Sequence, residues 1–473
     1  MKTIVTEMAQ INKPLWVDIE LMKRYDKPGP RYTSYPTAPY FTGEFDGDEF
    51  AAEIMQTNQR ADAPDLSLYF HLPFCDTLCY FCGCTMIITR NRQRIDEYLD
   101  FLINEVELIS RMIKPGRKVA QWHWGGGTPT YLDPDQIRRI SDATRQNFDF
   151  YDDAEISVEI DPRGLTVAHL DALQQAGFNR ASMGVQDFNL EVQKAVNRLQ
   201  SEKLTRWVFD ELRARDFESI NLDLIYGLPF QTVDSIACTL DRIIEIAPDR
   251  LAVFNYAHVP WMKKHQKVIK EETLPAPSDK LKILKNTIEK LTRVGYVYIG
   301  MDHFARADDS LTQAFNEKKL YRNFQGYSTK AGCDLYAFGM SSISQLQNVY
   351  AQNFKEIPDY YQALDEKRLP TERGYRLNQD DQLRRYVITK IMCDFELNKT
   401  DIEKKFNIKF DDYFADALAE LEPLLYDGLV KFKNELILIT EMGHLLVRNV
   451  AMAFDKYLKQ KKSQNVPMYS KTI

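Results

Sequence analysis

No run of some 18 consecutive apolar residues occurs in the 473-residue chain, so nothing in it reads as a membrane-spanning helix. A basic excess is missing too: 61 Lys and Arg stand against 68 Asp and Glu, a formal net charge of −7, whereas a general nucleic-acid binder needs a cationic face. The opening residues Met1-Lys2-Thr3-Ile4-Val5-Thr6-Glu7 contain no apolar signal core. Cysteine is scarce, with seven in all, an odd number clustered rather than spread through a small domain, which fits a reducing compartment. These absences lead us to expect a cytoplasmic protein, a monomer, with neither nucleic acid nor membrane as partner. What remains is ordinary globular composition, 44% hydrophobic and 27% charged. The length calls for one large domain and one or two smaller pieces.

Four of the seven cysteines, Cys75, Cys79, Cys82 and Cys84, fall within ten residues in a C-x3-C-x2-C-x-C spacing. Thiols this close are poorly placed to bridge one another, because a disulfide demands a particular Cα separation and dihedral. They are better placed to converge on a metal or a cluster. Four thiolates make a closed zinc site or hold a [4Fe-4S] cube; if only Cys75, Cys79 and Cys82 bind, one iron stays open to a small molecule. The surroundings favour the cluster, since Tyr69, Phe74, Tyr80 and Phe81 add apolar surface that limits solvent access and tunes a cluster's potential. Cys238, Cys333 and Cys393 read as buried small hydrophobes.

From about residue 49 onwards short apolar runs alternate with amphipathic stretches. The runs are 66–72, 119–124, 154–160, 180–185, 219–225 and 251–256; between them 95–112, 134–148, 167–175, 202–215 and 233–246 carry the 3.6-residue period of helices that cover a sheet. Repeated strand–helix units predict an α/β protein with a parallel sheet, either doubly wound or curled into a barrel; six units would make an incomplete (β/α)6 TIM-like barrel with an open side.

Chemistry in such folds sits at the carboxyl ends of the strands. The second run ends in Trp124-Gly125-Gly126-Gly127-Thr128-Pro129-Thr130, whose glycines remove side chains that would block a ligand and leave amides to face a carboxylate or amine. The third closes on Glu159 and Asp161, the fourth on Gly184-Val185-Gln186-Asp187. The fifth carries Asp223 ahead of Tyr226-Gly227, and the sixth Asn255-Tyr256-Ala257-His258. Any one polar strand end is as often a helix cap or turn former. Five in succession, on the rim that holds the cysteines, predict a ligand site.

Outside this core, residues 1–48 form an N-terminal arm. Its stretch Lys27–Tyr40 holds four prolines, three tyrosines and Arg31, a combination suited to covering a flat apolar ligand or another part of the protein. The catalytic domain spans 49–350. Residues 351–473 read as a mostly α-helical, winged-helix-like C-terminal domain, with helices at 358–369, 381–393, 400–405 and 413–425. A hairpin follows at 429–432 and 436–439, then one long helix from 441 to 462 and a mobile tail.

The cysteine stretch and the triple glycine resemble the radical S-adenosylmethionine superfamily. Further blocks resemble its oxygen-independent coproporphyrinogen III oxidase family: residues 30–37, Cys82-Gly83-Cys84, 123–130, 182–188, 223–229 and 301–305. The resemblance implies a [4Fe-4S] cluster on Cys75, Cys79 and Cys82. It also implies two molecules of S-adenosyl-L-methionine, held at Tyr69, Phe81, Gly126, Gly127, Thr128, Glu159, Gln186, Arg198, Asp223, Ala257 and Ile343. Tyr69 and Glu159 are implied as catalytic. The implied substrate is coproporphyrinogen III, two of whose propionates become vinyl groups, with a separate electron donor for the cluster and an unidentified electron acceptor. Cys84 reads as a neighbour of the ligands rather than one of them, and Arg31, Arg163, Arg306 and Arg322 as candidates to hold the propionates. The alternative within the same superfamily is a haem-binding or haem-transfer chaperone. Such relatives typically lack the tyrosine-rich arm and carry an aromatic residue in place of Cys84.

Overall fold

The alternation of apolar runs and amphipathic stretches resolves, in the computed structural model, into one open sheet faced by helices; the structure describes residues 15–460 together with Tyr469 and Lys471. Six strands lie side by side in chain order and run parallel: β1 Leu66–Leu72, β2 Lys118–Gly126, β3 Asp149–Ile160, β4 Arg180–Gln186, β5 Ser219–Tyr226 and β6 Arg250–Asn255. The connecting helices include α1 Arg92–Ser110, α2 Pro134–Asn147, α3 Val167–Gln175, α4 Glu202–Arg213 and α5 Val233–Ile246. α2 begins where expected because Asp133 and Gln136 cap its free N–H groups reciprocally and Pro134 occupies the first turn.

The sheet is larger than six units. After α6 Pro277–Arg293 come β7 Tyr296–Gly300 and β8 His303–Arg306, a hairpin that adds antiparallel to β6. On the far side of β1 lies β9 Asp334–Phe338, parallel to it, followed by antiparallel β10 Ile343–Gln345, β11 Val349–Asn353 and β12 Thr371–Arg376. The full order is β12-β11-β10-β9-β1-β2-β3-β4-β5-β6-β8-β7, twelve strands that run through the expected boundary at 350. Apolar periodicity does not reveal β12, because Thr-Glu-Arg-Gly-Tyr-Arg is a polar edge strand, a common way of blunting a sheet edge.

Strand alternation sends the two faces to different tasks. Phe70, Trp122 and Trp124 pack with Phe178 and Phe338 in a buried aromatic layer, ring centroids about 5–6 Å apart. Tyr69, His71 and His123, one residue out of step, point the other way. Under the same layer Glu105 of α1 is buried without a cation; it accepts from Gly339 N, Asn353 Nδ2 and Tyr360 OH, each at 2.7 Å. Burial pushes its carboxyl up to about 7 against those three donors.

A second apolar cluster joins the arm to the C-terminal region. Tyr32 and Tyr35 are buried in it beside helix Gln379–Asp394 and the segment around Phe454. Tyr32 OH donates to Asp455 Oδ2 at 3.0 Å and Lys456 N donates to Tyr35 OH at 3.1 Å. Of the two roles open to the arm's tyrosines, Tyr32 and Tyr35 thus take the second, covering another part of the protein. The single helix expected over 441–462 is broken into Glu441–Leu445, Val447–Met452 and Lys456–Gln460. Asp455 is the reason for the last break, since its Oδ1 takes the N–H groups of Tyr457 and Leu458 and restarts the helix. The expected tail lies mostly outside the described residues. Tyr469 and Lys471 touch the arm: Tyr469 OH lies 2.7 Å from Thr37 Oγ1, and Lys471 pairs with Asp26 at 2.7 Å.

Candidate functional site

The cysteine loop leaves β1 at the carboxyl edge of the sheet. Cys75, Cys79, Cys82 and Cys84 line a cavity of about 230 Å³ there, with Phe81, Gly126, Gly127 and Thr128 on its wall. Glu159, Gln186, Arg198 and Asp223 complete it from the tips of β3, β4 and β5 and from the turn after helix Leu190–Ala195. Thus most of the residues named from sequence meet in one place. Among the described residues no three His, Cys, Asp or Glu side chains converge tightly enough to hold a single metal ion.

The thiols sit in a cationic frame. Arg163 NH2 lies 3.4 Å and Arg198 NH1 3.8 Å from Cys79 Sγ, while Cys75 Sγ lies 3.1 Å from Thr128 Oγ1. Burial pushes the Cys75 thiol up, and a hydrogen bond from the Cys84 thiol draws Cys82 down at the expense of Cys84. Three side chains of one loop hold the backbone of this stretch: Lys263 Nζ donates to Cys84 O, Gln266 Nε2 to Phe81 O, and His265 Nε2 to Cys82 O at 2.8 Å. Cys393 is buried and Cys333 half-buried, but Cys238 is exposed on α5, against expectation, because its position falls on the solvent face of that amphipathic helix.

The glycine run does a second job beside the one expected. Gly126 N donates to Glu159 Oε2 at 3.1 Å, Gly127 N to Leu72 O and Thr128 N to Phe74 O, both at 2.9 Å, so these amides already have internal acceptors. A side chain at Gly127 would meet Pro73 O at 2.4 Å, and one at Gly126, whose φ is +113°, the His71 ring at 2.7 Å. The glycines let β2 close against the start of the cysteine loop and leave the carboxylate of Glu159 in place.

Glu159 is held ionised. Burial alone would raise its carboxyl, but His123 at 3.6 Å and the Gly126 N–H keep it below the usual range. Its neighbours are themselves fixed. Thr85 O can only accept from His71 Nε2, at 3.0 Å, so His71 Nδ1 must accept the Tyr69 hydroxyl at 3.1 Å. Tyr69 also stacks on His123, centroids 5.9 Å apart, and His123 Nδ1 meets Ser157 Oγ at 2.6 Å. Asp223 behaves oppositely: burial pushes it up to about 7, although Ser182 and Asn221 donate to it. Two carboxylates on one rim therefore differ in protonation near neutrality.

Arg198 is 6% exposed and donates to Asp161 Oδ2 and to Gly184 O, both at 2.9 Å, leaving Nε buried without a partner. Gln186, in the left-handed region at φ +67°, likewise has a buried Oε1 without one. Orphaned polar atoms facing a cavity fit a polar ligand that supplies the missing acceptor and donor. With the thiols they make the donor set that a cluster and a small polar cofactor require.

Ala257 and Ile343 lie elsewhere. Ile343 packs beside Phe41, Tyr350 and Tyr375 near the arm. Ala257 lines a second cavity, of about 580 Å³, walled by Tyr226, Tyr298, Trp261 and Met262 and by Arg31, Lys280, Arg448 and Lys471. Of the four arginines considered for propionates, only Arg31 lines this cavity, and it is paired to Asp302. Arg163 closes on Asp161 at 2.6 Å, Arg306 sits at the surface beside Asp308, and Arg322 is buried with Nε on Arg31 O. Lys280 and Arg448 were missed. Lys280 stands among Pro277-Ser278-Asp279, which reads as an ordinary helix start, and Arg448 lies in a segment expected to be one continuous helix.

A family model described as the radical SAM superfamily matches residues 69–243, and one described as the HemN C-terminal domain matches 377–446. Oxygen-independent coproporphyrinogen III oxidase of Escherichia coli (strain K12) is 50% identical over 445 residues, covering 94% of this chain and 96% of that one. The protein of the same name from Synechocystis is 45% identical over 458 residues, covering 96% and 97%. The solved structure of coproporphyrinogen III oxidase (HemN) from Escherichia coli, described as a radical SAM enzyme, superposes with a TM-score of 0.89 at 48% identity, over 94% of this chain and all of that one.

Proposed function

We infer the working of the site from one premise: the chain belongs to the oxygen-independent coproporphyrinogen III oxidase family of radical S-adenosylmethionine enzymes. Its reaction is the oxidative decarboxylation of two propionates of coproporphyrinogen III, each losing a hydrogen atom, carbon dioxide and an electron to leave a vinyl group, which gives protoporphyrinogen IX. Its cofactors are a [4Fe-4S] cluster and S-adenosyl-L-methionine. The curated relatives matched here are named coproporphyrinogen III oxidases, which sets aside both the haem-transfer alternative and a zinc site.

In our reading Cys75, Cys79 and Cys82 hold the cluster, and Cys84 hydrogen-bonds to Cys82 without binding iron. A reduced cluster with S-adenosyl-L-methionine supplies the carbon radical that takes hydrogen from the propionate. The chain's own groups place the reactants. Ionised Glu159 offers an acceptor to the cationic cofactor, and Asp223, the free Nε of Arg198 and Oε1 of Gln186 complete the polar wall. Phe81, Gly126, Gly127 and Thr128 shape the same wall, and Tyr69 acts from behind it through His71 and His123. A second S-adenosyl-L-methionine, with Ala257 and Ile343 among its contacts, rests on the family resemblance alone; Ile343 packs away from both cavities. Curling of the parallel strands into a partial barrel is supported by the unpaired edges β7 and β12. The division into arm, catalytic part and winged-helix-like C-terminal part is best drawn with the second boundary after β12, where the HemN C-terminal match begins. A monomer in the cytoplasm, served by a separate electron donor and acceptor, completes the proposal; among the described residues no helix is long and apolar enough to cross a membrane.

One observation carries the chemistry: three thiols at the tip of β1 share a cavity with the orphaned Arg198 and Gln186 atoms. Anaerobic reconstitution should give a brown protein with about four irons that converts coproporphyrinogen III to the divinyl product. A colourless protein that binds one zinc would overturn the proposal.

A further inference from the structure

The larger cavity contradicts the charge of the chain. Four cations line it against one carboxylate, Asp302, in a protein that carries a net −7 overall. Three of the four are engaged. Arg31 pairs with Asp302, and Lys471 with Asp26. Arg448 directs its N–H groups at backbone carbonyls, those of Gly29, Pro30 and Lys471, and shares the field of Asp302 with Arg31. Among the described residues Lys280 alone of the four has neither hydrogen bond nor ion pair.

Lys280 lies in the first turn of α6 and its stem covers Gly227 at the end of β5, where an added Cβ would meet Cε at 2.8 Å and Nζ at 3.4 Å. The same Cβ would lie 3.5 Å from Asn255 Oδ1, a buried atom with no partner. The ends of β5 and β6 therefore bring an unpaired ammonium and an unsatisfied amide to one point of the wall. Burial lowers the ammonium's affinity for its proton, with Asp26 opposing and Lys471 assisting. A fold that needs no anion here gains nothing from leaving such a charge unpaired. Around it Tyr226, Tyr298, Trp261 and Met262 offer a largely apolar surface, the last two 59% and 67% exposed at the mouth.

We propose that Lys280, with the Asn255 amide turned to donate beside it, binds one propionate carboxylate of coproporphyrinogen III while the apolar wall takes the macrocycle. This rests on the activity assigned above. Arg448 and Arg31 supply a fixed positive field, and Lys280 supplies the direct contact.

The test uses the reconstituted holoenzyme under anaerobic conditions. Lys280→Met, which keeps the stem and removes the charge, should raise KM for coproporphyrinogen III roughly 10- to 100-fold, the usual loss for a charge-assisted hydrogen bond. kcat should change much less, 5′-deoxyadenosine release without substrate should stay at the wild-type rate, and Lys280→Arg should recover most of the loss. Lys282→Ala, on the exposed face of the same helix, should change nothing. Affinity for the stable oxidised ligand coproporphyrin III should fall by the same factor in Lys280→Met, whereas its uncharged tetramethyl ester should bind both proteins alike. A KM within twofold of wild type in Lys280→Met, or an arginine variant as impaired as the methionine one, overturns the assignment. Wild-type protein that binds coproporphyrin III in a Lys280-dependent way but forms no vinyl product would instead overturn the activity and leave the carboxylate contact standing.

Discussion

The two cavities are built on opposite principles. The cysteine pocket draws its thiols from ten consecutive residues and the rest of its wall from successive strand ends of a parallel sheet. The larger cavity is walled by residue 31 of the arm, by the tips of β5 and β6, by α6 and by Arg448, Tyr469 and Lys471. A local motif fixes the position of reactive groups with little help from distant chain. A long-range assembly fixes a shape and a field, and every part of it must fold first.

The sharpest break in that comparison comes from the thiols. Replacing any of Cys75, Cys79 or Cys82 with Ala should abolish iron binding and turnover, while Cys84→Ala retains iron even if activity drops; iron analysis of the four reconstituted variants decides between three ligands and four. The next largest effect tests whether the first pocket needs more than its motif. Arg198→Met removes the orphaned Nε and the bond to Asp161, and kcat/KM should fall roughly 10- to 100-fold with iron content unchanged. Loss of iron in that variant would make Arg198 part of the cluster's scaffold.

Arg448 tests the second cavity as an assembly. Arg448→Ala leaves the carbonyls of Gly29, Pro30 and Lys471 without donors, so thermal stability should fall by roughly 3 kcal/mol and the arm should become protease-sensitive. An unchanged melting temperature would show that the arm's other contacts, those of Tyr32, Tyr35 and Asp26 among them, suffice to hold it.

Glu105 is the control for the comparison, a buried carboxyl that lines neither cavity. Its carboxyl is raised from 4.5 to about 7 in the folded protein, so the native state binds the extra proton and stability declines as pH rises through that window, levelling off above it. The stability difference between Glu105→Gln and wild type should move in favour of the glutamine by up to roughly 3 kcal/mol from pH 5 to pH 8. Denaturant melts at the two pH values measure it, and a difference independent of pH removes Glu105 as the titrating group.

The comparison also marks what a sequence discloses. β1, α3 and α5 begin and end where their apolar period does, and the cysteine pocket was visible because its residues are contiguous or repeat at strand ends. β12 escaped because a polar edge strand carries no period-2 apolar signal, and the break before Lys456–Gln460 because Asp455, a local N-cap, sits within an otherwise helical stretch. The arginines chosen for propionates came from loop positions, yet Arg163 and Arg306 find carboxylates two residues away and are thereby neutralised. Lys280 was invisible for the converse reason, since its isolation depends on which distant carboxylates fail to reach it. The glycines line the cavity as expected, and they carry a second duty that sequence does not show: at Gly127 the limiting neighbour is the carbonyl of Pro73, a residue 54 positions earlier.

Arg448 has a consequence in time as well as in space. Its guanidinium grips the carbonyls of Gly29 and Pro30, which lie 419 and 418 residues ahead of it in the chain. On the ribosome the sheet and the cysteine loop emerge well before that grip can form. The arm therefore cannot be locked onto the C-terminal segment until Arg448 has been made, and the cationic wall is finished only when Tyr469 and Lys471 follow it.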